Sequence, residues 1–243
     1  MNTCIVCIAK NEDHYIDEWI KYHTKLGFDH IFIYANDWLY ESDNEKVSIF
    51  SVNGSGKQLY AYNDFVKNKS SGYDWAAFFD IDEYLVLKKH NNINSFLKDY
   101  TECDALGINW AFFGDNNLKK IIANEYSTLK RFIKKSSIDF IPNKHIKSIV
   151  KLPIDNCVSI HNILNTWCNL DKEKCHGAYT KSANWSIAQL NHYFSRTEQE
   201  LYAKCLRGRA DIANNYRKFE EHKIYLNLNQ EEDCLARDFL YNN

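Results

Sequence analysis

One stretch of the chain is apolar at every position and ends on three acids. Trp75-Ala-Ala-Phe-Phe79 shows no alternation, and Asp80, Asp82 and Glu83 follow it. A strand apolar at successive residues needs cover on both faces, so a fold that holds it is layered, with helices above and below a sheet. On extended backbone, side chains at i and i+2 share a face, which sets Asp80 and Asp82 roughly 6–7 Å apart at about 3.3 Å per residue. Two carboxylates there repel each other, and a divalent cation removes the repulsion; hard oxygen donors suit magnesium or manganese. A solvated acidic turn is the competing reading. The apolar Tyr84–Leu87 run beyond the acids favours the metal site.

Strand and helix patterns alternate around this stretch. Thr3–Ala9 reads as a strand, and Asn11 or Asp13 caps a helix whose Tyr15, Ile16, Trp19, Ile20 and His23 follow a 3.6-residue period and which stops at Gly27. His30–Tyr34 and Lys46–Val52 read as strands, and Gln58–Lys67 as a helix after the Gly54-Ser-Gly56 break. Such alternation implies a parallel, doubly wound sheet, which binds ligands beyond the carboxyl ends of its strands. Asn11, Glu12, Asn36, Asp37, Asp80 and Asp82 all follow strands at that end.

The second half is less regular. Strands are expected over Asp104–Phe113, His145–Leu152, Cys157–His161 and Ile187–Phe194, a helix over Glu125–Lys135, and a mobile polar loop over Asn165–Asn184. Ser195 or Thr197, with Glu198 or Glu200 three residues on, makes a capping box for a helix to Arg207, closed by Gly208.

A formal net charge of −2 argues against a nucleic-acid partner, since binders of phosphate backbones carry concentrated basic excess. No segment approaches the ~20 apolar residues needed to cross a bilayer, and the opening Met1–Ala9 run lacks a basic leader. The expectation is a cytoplasmic protein, with association at a membrane surface left open. Eight cysteines are expected to be structural thiols. Cys4 and Cys7 differ by an odd number, so on one strand they face opposite ways.

Several motifs, taken in order, resemble GT-A glycosyltransferases, nearest the family 2-like and family 92-like group. They are Lys10-Asn-Glu12, Tyr15-Ile-Asp-Glu-Trp19, Ile33-Tyr-Ala-Asn36, Phe79-Asp-Ile-Asp-Glu-Tyr-Leu85, Asn109-Trp-Ala-Phe-Phe-Gly114, His145-Ile-Lys-Ser-Ile-Val150, and Asn191-His-Tyr-Phe-Ser195 with Arg207-Gly-Arg-Ala-Asp211. The resemblance implies one α/β domain over 1–243: a GT-A, Rossmann-like, mostly parallel central sheet with helices on both faces and an irregular acceptor-side C-terminal part. Residues 1–90 form the nucleotide-binding half and 91–243 the acceptor half. Two departures, Ala35 for a usual Asp and Asp115 for a frequent Ser, keep the acceptor and linkage from being transferred.

The implied activity moves a sugar from a nucleotide diphosphate, a UDP-sugar first, to a glycan or glycolipid acceptor, in surface polysaccharide or glycoconjugate synthesis, in the cytoplasm or at the inner face of the membrane. A fold-mate that binds nucleotide or sugar without catalysis is the alternative. Ala9, Asn11, Glu12, Asn36 and Asp37 are assigned to the nucleotide base, and Lys147 to the diphosphate, with Arg207 and Arg209 as further candidates there. Asp82 is the main ligand for manganese or magnesium. Asp80 assists it at the metal or at the ribose, and His161, with His192 as rival, completes the shell. Trp110 is the acceptor platform. The base of an inverting transfer is Asp115, with Asp211 second.

Overall fold

A computed structural model describes residues 1–242. The first half follows the expected alternation: β1 (Thr3–Ala9), α1 (Ile16–Leu26), β2 (His30–Asn36), β3 (Val47–Val52), α2 (Gln58–Asn68), β4 (Trp75–Phe78) and β5 (Glu83–Leu87). The second half adds α3 (Ile93–Leu97), β6 (Ala105–Phe112), α4 (Thr128–Arg131), β7 (Lys134–Lys135), β8 (Ile146–Lys151), β9 (Thr166–Cys168), β10 (Lys174–His176), β11 (Ala188–His192) and α5 (Glu198–Leu206). It closes with α6 (Phe219–His222), β12 (Glu231–Glu232) and α7 (Leu235–Tyr241).

The central sheet is mostly parallel, in the order β10-β9-β6-β8-β4-β1-β2-β3. Strands β4, β1, β2 and β3 form a parallel block, and β8 joins it to β6 by antiparallel ladders on both sides. β11 lies antiparallel to β5 and parallel to β6. Both faces of β1 are buried, as its apolar run demands. Ile5 and Cys7 pack in one cluster with Ile16 and Trp19 of α1, while Cys4 and Val6 pack in the other with Tyr62 and Phe65 of α2. The two cysteines therefore do face opposite ways.

Several local expectations are corrected. Neither Asn11 nor Asp13 caps α1. Tyr15 is the N-cap, and the Tyr15 and Ile16 amides donate to the Glu12 carbonyl while Asn11 takes a left-handed φ of 54°. The other end behaves as read: Gly27 has φ 102° and its amide bonds back to the helix, a conformation glycine adopts without a Cβ penalty. Glu125–Lys135 holds only the single turn of α4 before the chain extends into β7. Cys157–His161 is no strand, because side chains take up its backbone groups: Asn63 Oδ1 accepts from the Cys157 amide, and Ser148 Oγ donates to the His161 carbonyl. The Asn165–Asn184 segment contains β9 and β10, and Cys168 is disulfide-bonded to Cys103, so those two cysteines are not free thiols. The α5 capping box is present, with Thr197 and Glu200 bonding reciprocally. Among the described residues no helix is long and apolar enough to cross a membrane.

Candidate active site

A cleft of about 420 Å³ opens beyond the carboxyl ends of β1, β2 and β4. The acid segment enters it as a turn rather than as extended strand. The Glu83 amide donates to the Asp80 carbonyl at 3.0 Å, folding Asp80-Ile81-Asp82 into the link between β4 and β5. The i and i+2 geometry expected of a strand is thus replaced, yet both aspartates still line the cleft.

Glu83 organises this turn from behind. Its side chain is fully buried; Oε2 accepts from the Asp80 amide at 2.8 Å, and Oε1 from Trp110 Nε1 at 2.8 Å. Burial pushes this carboxyl well above the ordinary range; Lys147 pulls it down, while Asp80 and Asp82 push it further up. One side chain thereby ties the acid turn to the Trp110 indole.

Each aspartate has its own ammonium. Lys147, fully buried on β8, sets Nζ 2.9 Å from Asp80 Oδ2 and 3.8 Å from Glu83 Oε2. Register explains this: β8 runs beside β4 with Ile149 opposite Ala77, so Lys147 lies level with the strand's end. It is not among the residues lining the cleft, and its ammonium is the counter-ion of Asp80. Gln58 Nε2 holds the other Asp80 oxygen at 2.7 Å. The second ammonium, Lys204, reaches from α5 to Asp82 Oδ2.

His192 stands beside the same oxygen, with Nε2 3.6 Å from Asp82 Oδ2. Sheet register puts it there, because His192 pairs with Glu83 across β11 and β5. Burial would raise the Asp82 carboxyl, but Lys204, His192 and Arg196 hold it well below its ordinary value. Burial lowers the His192 imidazole against the pull of Asp82. His161 also lines the cleft, but its neighbours are the rings of Trp110 and His145. Burial, helped by Lys147 and His145, takes it down to about 3. Of the two histidines, His192 is the one beside Asp82. The Nδ1 atoms of His145, His161 and His192 are all buried without a hydrogen-bond partner in the structure.

At the base end, Ala9, Glu12 and Asn36 line the cleft. Glu12 is spent on two arginines, Arg196 at 3.0 Å and Arg207 at 2.6 Å. Asn36 donates to the Val52 and Gly54 carbonyls and so shapes the following loop. Asn11 and Asp37 are exposed and lie outside the lining; Asp37 holds the Gly54 amide and Lys10 instead.

The two candidate bases separate. Asp115 is not in this cleft but in a second pocket, with its Oδ1 accepting from the Asn117 amide and from Asn229 Nδ2, which marks it as a turn residue. Asp211 does line the cleft; burial works to raise its carboxyl, but Arg209 holds it below the ordinary value. Asp211 belongs to a strap, residues 207–217, that crosses the cleft. The strap docks through the Gln58 amide, which donates to the Ala210 carbonyl at 2.9 Å, and through Gly56, where a Cβ would meet the Ala213 nitrogen at 2.8 Å. Arg209 and Arg217 of the strap line the cleft with Lys204. Trp110 lies at the cleft with Phe112, Phe194 and Tyr225, an aromatic wall suited to the apolar face of a sugar.

The sequence assigns no role to Lys204, Gln58 or Arg217, and reads Glu83 only as one of the three acids. Lys204 sits 122 residues from Asp82, and a lysine near a helix end reads as an ordinary solvated charge. Glu83 carried a signal, since it directly follows the acid pair.

A family model described as Glycosyltransferase family 92 matches residues 2–232. A family 92 protein of Ricinus communis is 24% identical over 205 residues, covering 78% of this chain and 35% of that protein. One of Arabidopsis thaliana is 25% identical over 126 residues, covering 43% of this chain and 21% of that protein. The chain thus spans about a fifth to a third of the length of these curated relatives (21% and 35%). Among solved structures, HddC from Yersinia pseudotuberculosis complexed with GMP-PN aligns at a TM-score of 0.41 and 12% identity, covering 85% of this chain and 99% of that one. TarS of S. aureus aligns at 0.35 and 13%, covering 62% and 28%. Both scores are too low to carry an argument.

Proposed function

The chain belongs to glycosyltransferase family 92, and from that premise we propose that it transfers a sugar from a nucleoside diphosphate donor, a UDP-sugar first, to a hydroxyl of a glycan or glycolipid acceptor. The observation that carries this reading is that Asp80 and Asp82 line one cleft together with the cationic side chains of α5 and the strap. A diphosphate needs positive charge around it; Lys204 and Arg217 line the cleft, as does Arg209, which is paired with Asp211. The cleft volume of about 420 Å³ suits a ligand of nucleotide size.

Among the described residues, no three His, Cys, Asp or Glu side chains converge into a cage for a metal ion. That does not exclude manganese or magnesium, since such ions are often held by one or two protein ligands, with substrate phosphates and waters supplying the rest. Asp82 and His192 fit this pattern: Asp82 Oδ2 and His192 Nε2 lie 3.6 Å apart, and both residues line the cleft. A bound divalent ion would neutralise charge developing on the leaving diphosphate. His192 takes the place assigned to His161, and Asp80, with both oxygens engaged, is better suited to receive a ribose hydroxyl.

The protein's own groups account for the rest of the chemistry. Asp211, ionised and in the cleft, is the base for the acceptor hydroxyl in an inverting transfer. Trp110 and its aromatic neighbours orient the acceptor sugar. Thermal-shift measurements with UDP, GDP and CMP, with and without manganese, test the reading. One nucleotide at 100 times its Kd, with manganese, should raise stability by about 2.7 kcal/mol, or roughly 5–10 °C at this chain size. Asp82→Asn should lose the manganese-dependent part. No response to any nucleotide would refute the donor assignment. Product retaining the donor's anomeric configuration would refute inversion.

A further inference from the structure

The buried carboxylate of Asp82 has two claimants on one oxygen. Lys204 Nζ contacts Oδ2, and His192 Nε2 lies 3.6 Å from the same atom. The Lys204 ammonium is otherwise lightly held: it donates to the Phe194 carbonyl at 3.0 Å and lies 4.1 Å from the Phe194 ring centroid. Its side chain is 14% exposed and lines the cleft, whereas Lys147, which serves Asp80, is fully buried. The other cations around the cleft are differently committed. Arg207 is spent on Glu12, and Arg209 on Asp211.

We propose that Lys204 is an exchangeable counter-ion, neutralising Asp82 in the free protein and passing to the diphosphate when a nucleotide binds, so that nucleotide and divalent cation bind with positive coupling. The proposal rests on reading the cleft as a nucleoside diphosphate site. A charge as buried as Asp82 needs a partner at all times. A divalent cation arriving alone must displace Lys204 and leave a largely buried ammonium without an anion. A diphosphate arriving alone must draw Lys204 away and strand Asp82. When both arrive, each removes the cost of the other, because Lys204 gains the diphosphate as Asp82 and His192 gain the cation. Coupling of this kind is reciprocal and is typically worth about 5–150-fold in affinity.

The test uses manganese binding followed by electron paramagnetic resonance, and UDP binding followed by calorimetry in EDTA, neither of which depends on turnover. In the parent, UDP should tighten manganese binding by roughly 5–150-fold. Lys204→Met should bind manganese alone about tenfold more tightly than the parent and bind UDP in EDTA more weakly, with the effect of UDP on manganese largely lost. Circular dichroism checks its fold. Asp82→Asn leaves the Lys204 ammonium without its anion and tests the other half: with Lys204 free to take the diphosphate, it should bind UDP in EDTA more tightly than the parent. The proposal is overturned if Lys204→Met binds manganese alone no better than the parent, or if Asp82→Asn binds UDP in EDTA no better. Those results, with the parent still binding UDP and manganese together, would leave the donor reading standing. A parent that binds no nucleotide under either condition would remove both.

Discussion

Replacing Lys147 by Met tests whether the acid turn is held by charge from beneath. Met keeps the stem volume and removes the ammonium. In the parent, that ammonium serves Asp80 at 2.9 Å and Glu83 at 3.8 Å. Breaking a buried pair by removing one partner costs about 3–5 kcal/mol. Asp80 is 34% exposed and regains water, so its share is discounted and the lower end, about 3 kcal/mol, is expected. That corresponds to a fall of roughly 6–12 °C in melting temperature for a chain of this size. Glu83 has its folded value raised above the ordinary 4.5, so the stability it contributes is whole below that value and is lost as pH rises through the folded one. Removing Lys147 raises it further. The gap between variant and parent should therefore be narrowest at acid pH and widen as pH rises above the ordinary 4.5. Adding Glu83→Gln, which itself misplaces one donor against Trp110 or the Asp80 amide at about 1–3 kcal/mol, should cost less in the double variant than the two losses summed. Urea denaturation of the three variants decides it. A Lys147→Met deficit under about 0.5 kcal/mol, or strict additivity with Glu83→Gln, would refute the buried-charge argument.

His192→Ala should abolish the manganese-dependent part of UDP binding, with His161→Ala weakening it less; a manganese titration giving the reverse order would return the ligand role to His161. Asp211→Asn should lower turnover by roughly 10²–10⁴-fold with donor affinity retained, as measured by sugar transfer or slow donor hydrolysis. Asp115→Asn should leave turnover near the parent's and cost at most about 1 kcal/mol of stability, since both hydrogen bonds fall on Oδ1, an acceptor the amide keeps, and only their charge assistance is lost.

Local patterns in the sequence found the scaffold, and they failed where partners are distant or where side chains replace backbone pairing. β1, α1 and α2 were legible because their apolar periods are long and unbroken, and Gly27 ends α1 as read. Cys157–His161 reads as a strand but pairs with none, because Asn63 and Ser148 satisfy its backbone instead. The pairing of Cys103 with Cys168 joins residues 65 apart and leaves no local trace. In the site, the acid pair was legible, but its turn was not, because Glu83 turns inward to accept from the Asp80 amide and Trp110. His192 could be placed beside Asp82 only once β11 was known to run against β5.

The two aspartates look equivalent in sequence, and their lysines make them different. Lys147 comes from the strand next to β4, is fully buried, and meets Glu83 as well as Asp80, so a ligand cannot draw it away without leaving Glu83 uncompensated. Its pairing with Asp80 is therefore architectural. Lys204 comes from the end of a helix, faces the cleft, and has only a carbonyl and an aromatic ring behind it once it leaves Asp82. Its pairing can be exchanged for that of an incoming anion at far lower cost. Two carboxylates two residues apart thus divide into one whose counter-ion is fixed and one whose counter-ion can be exchanged, and the division follows from where each counter-ion is anchored.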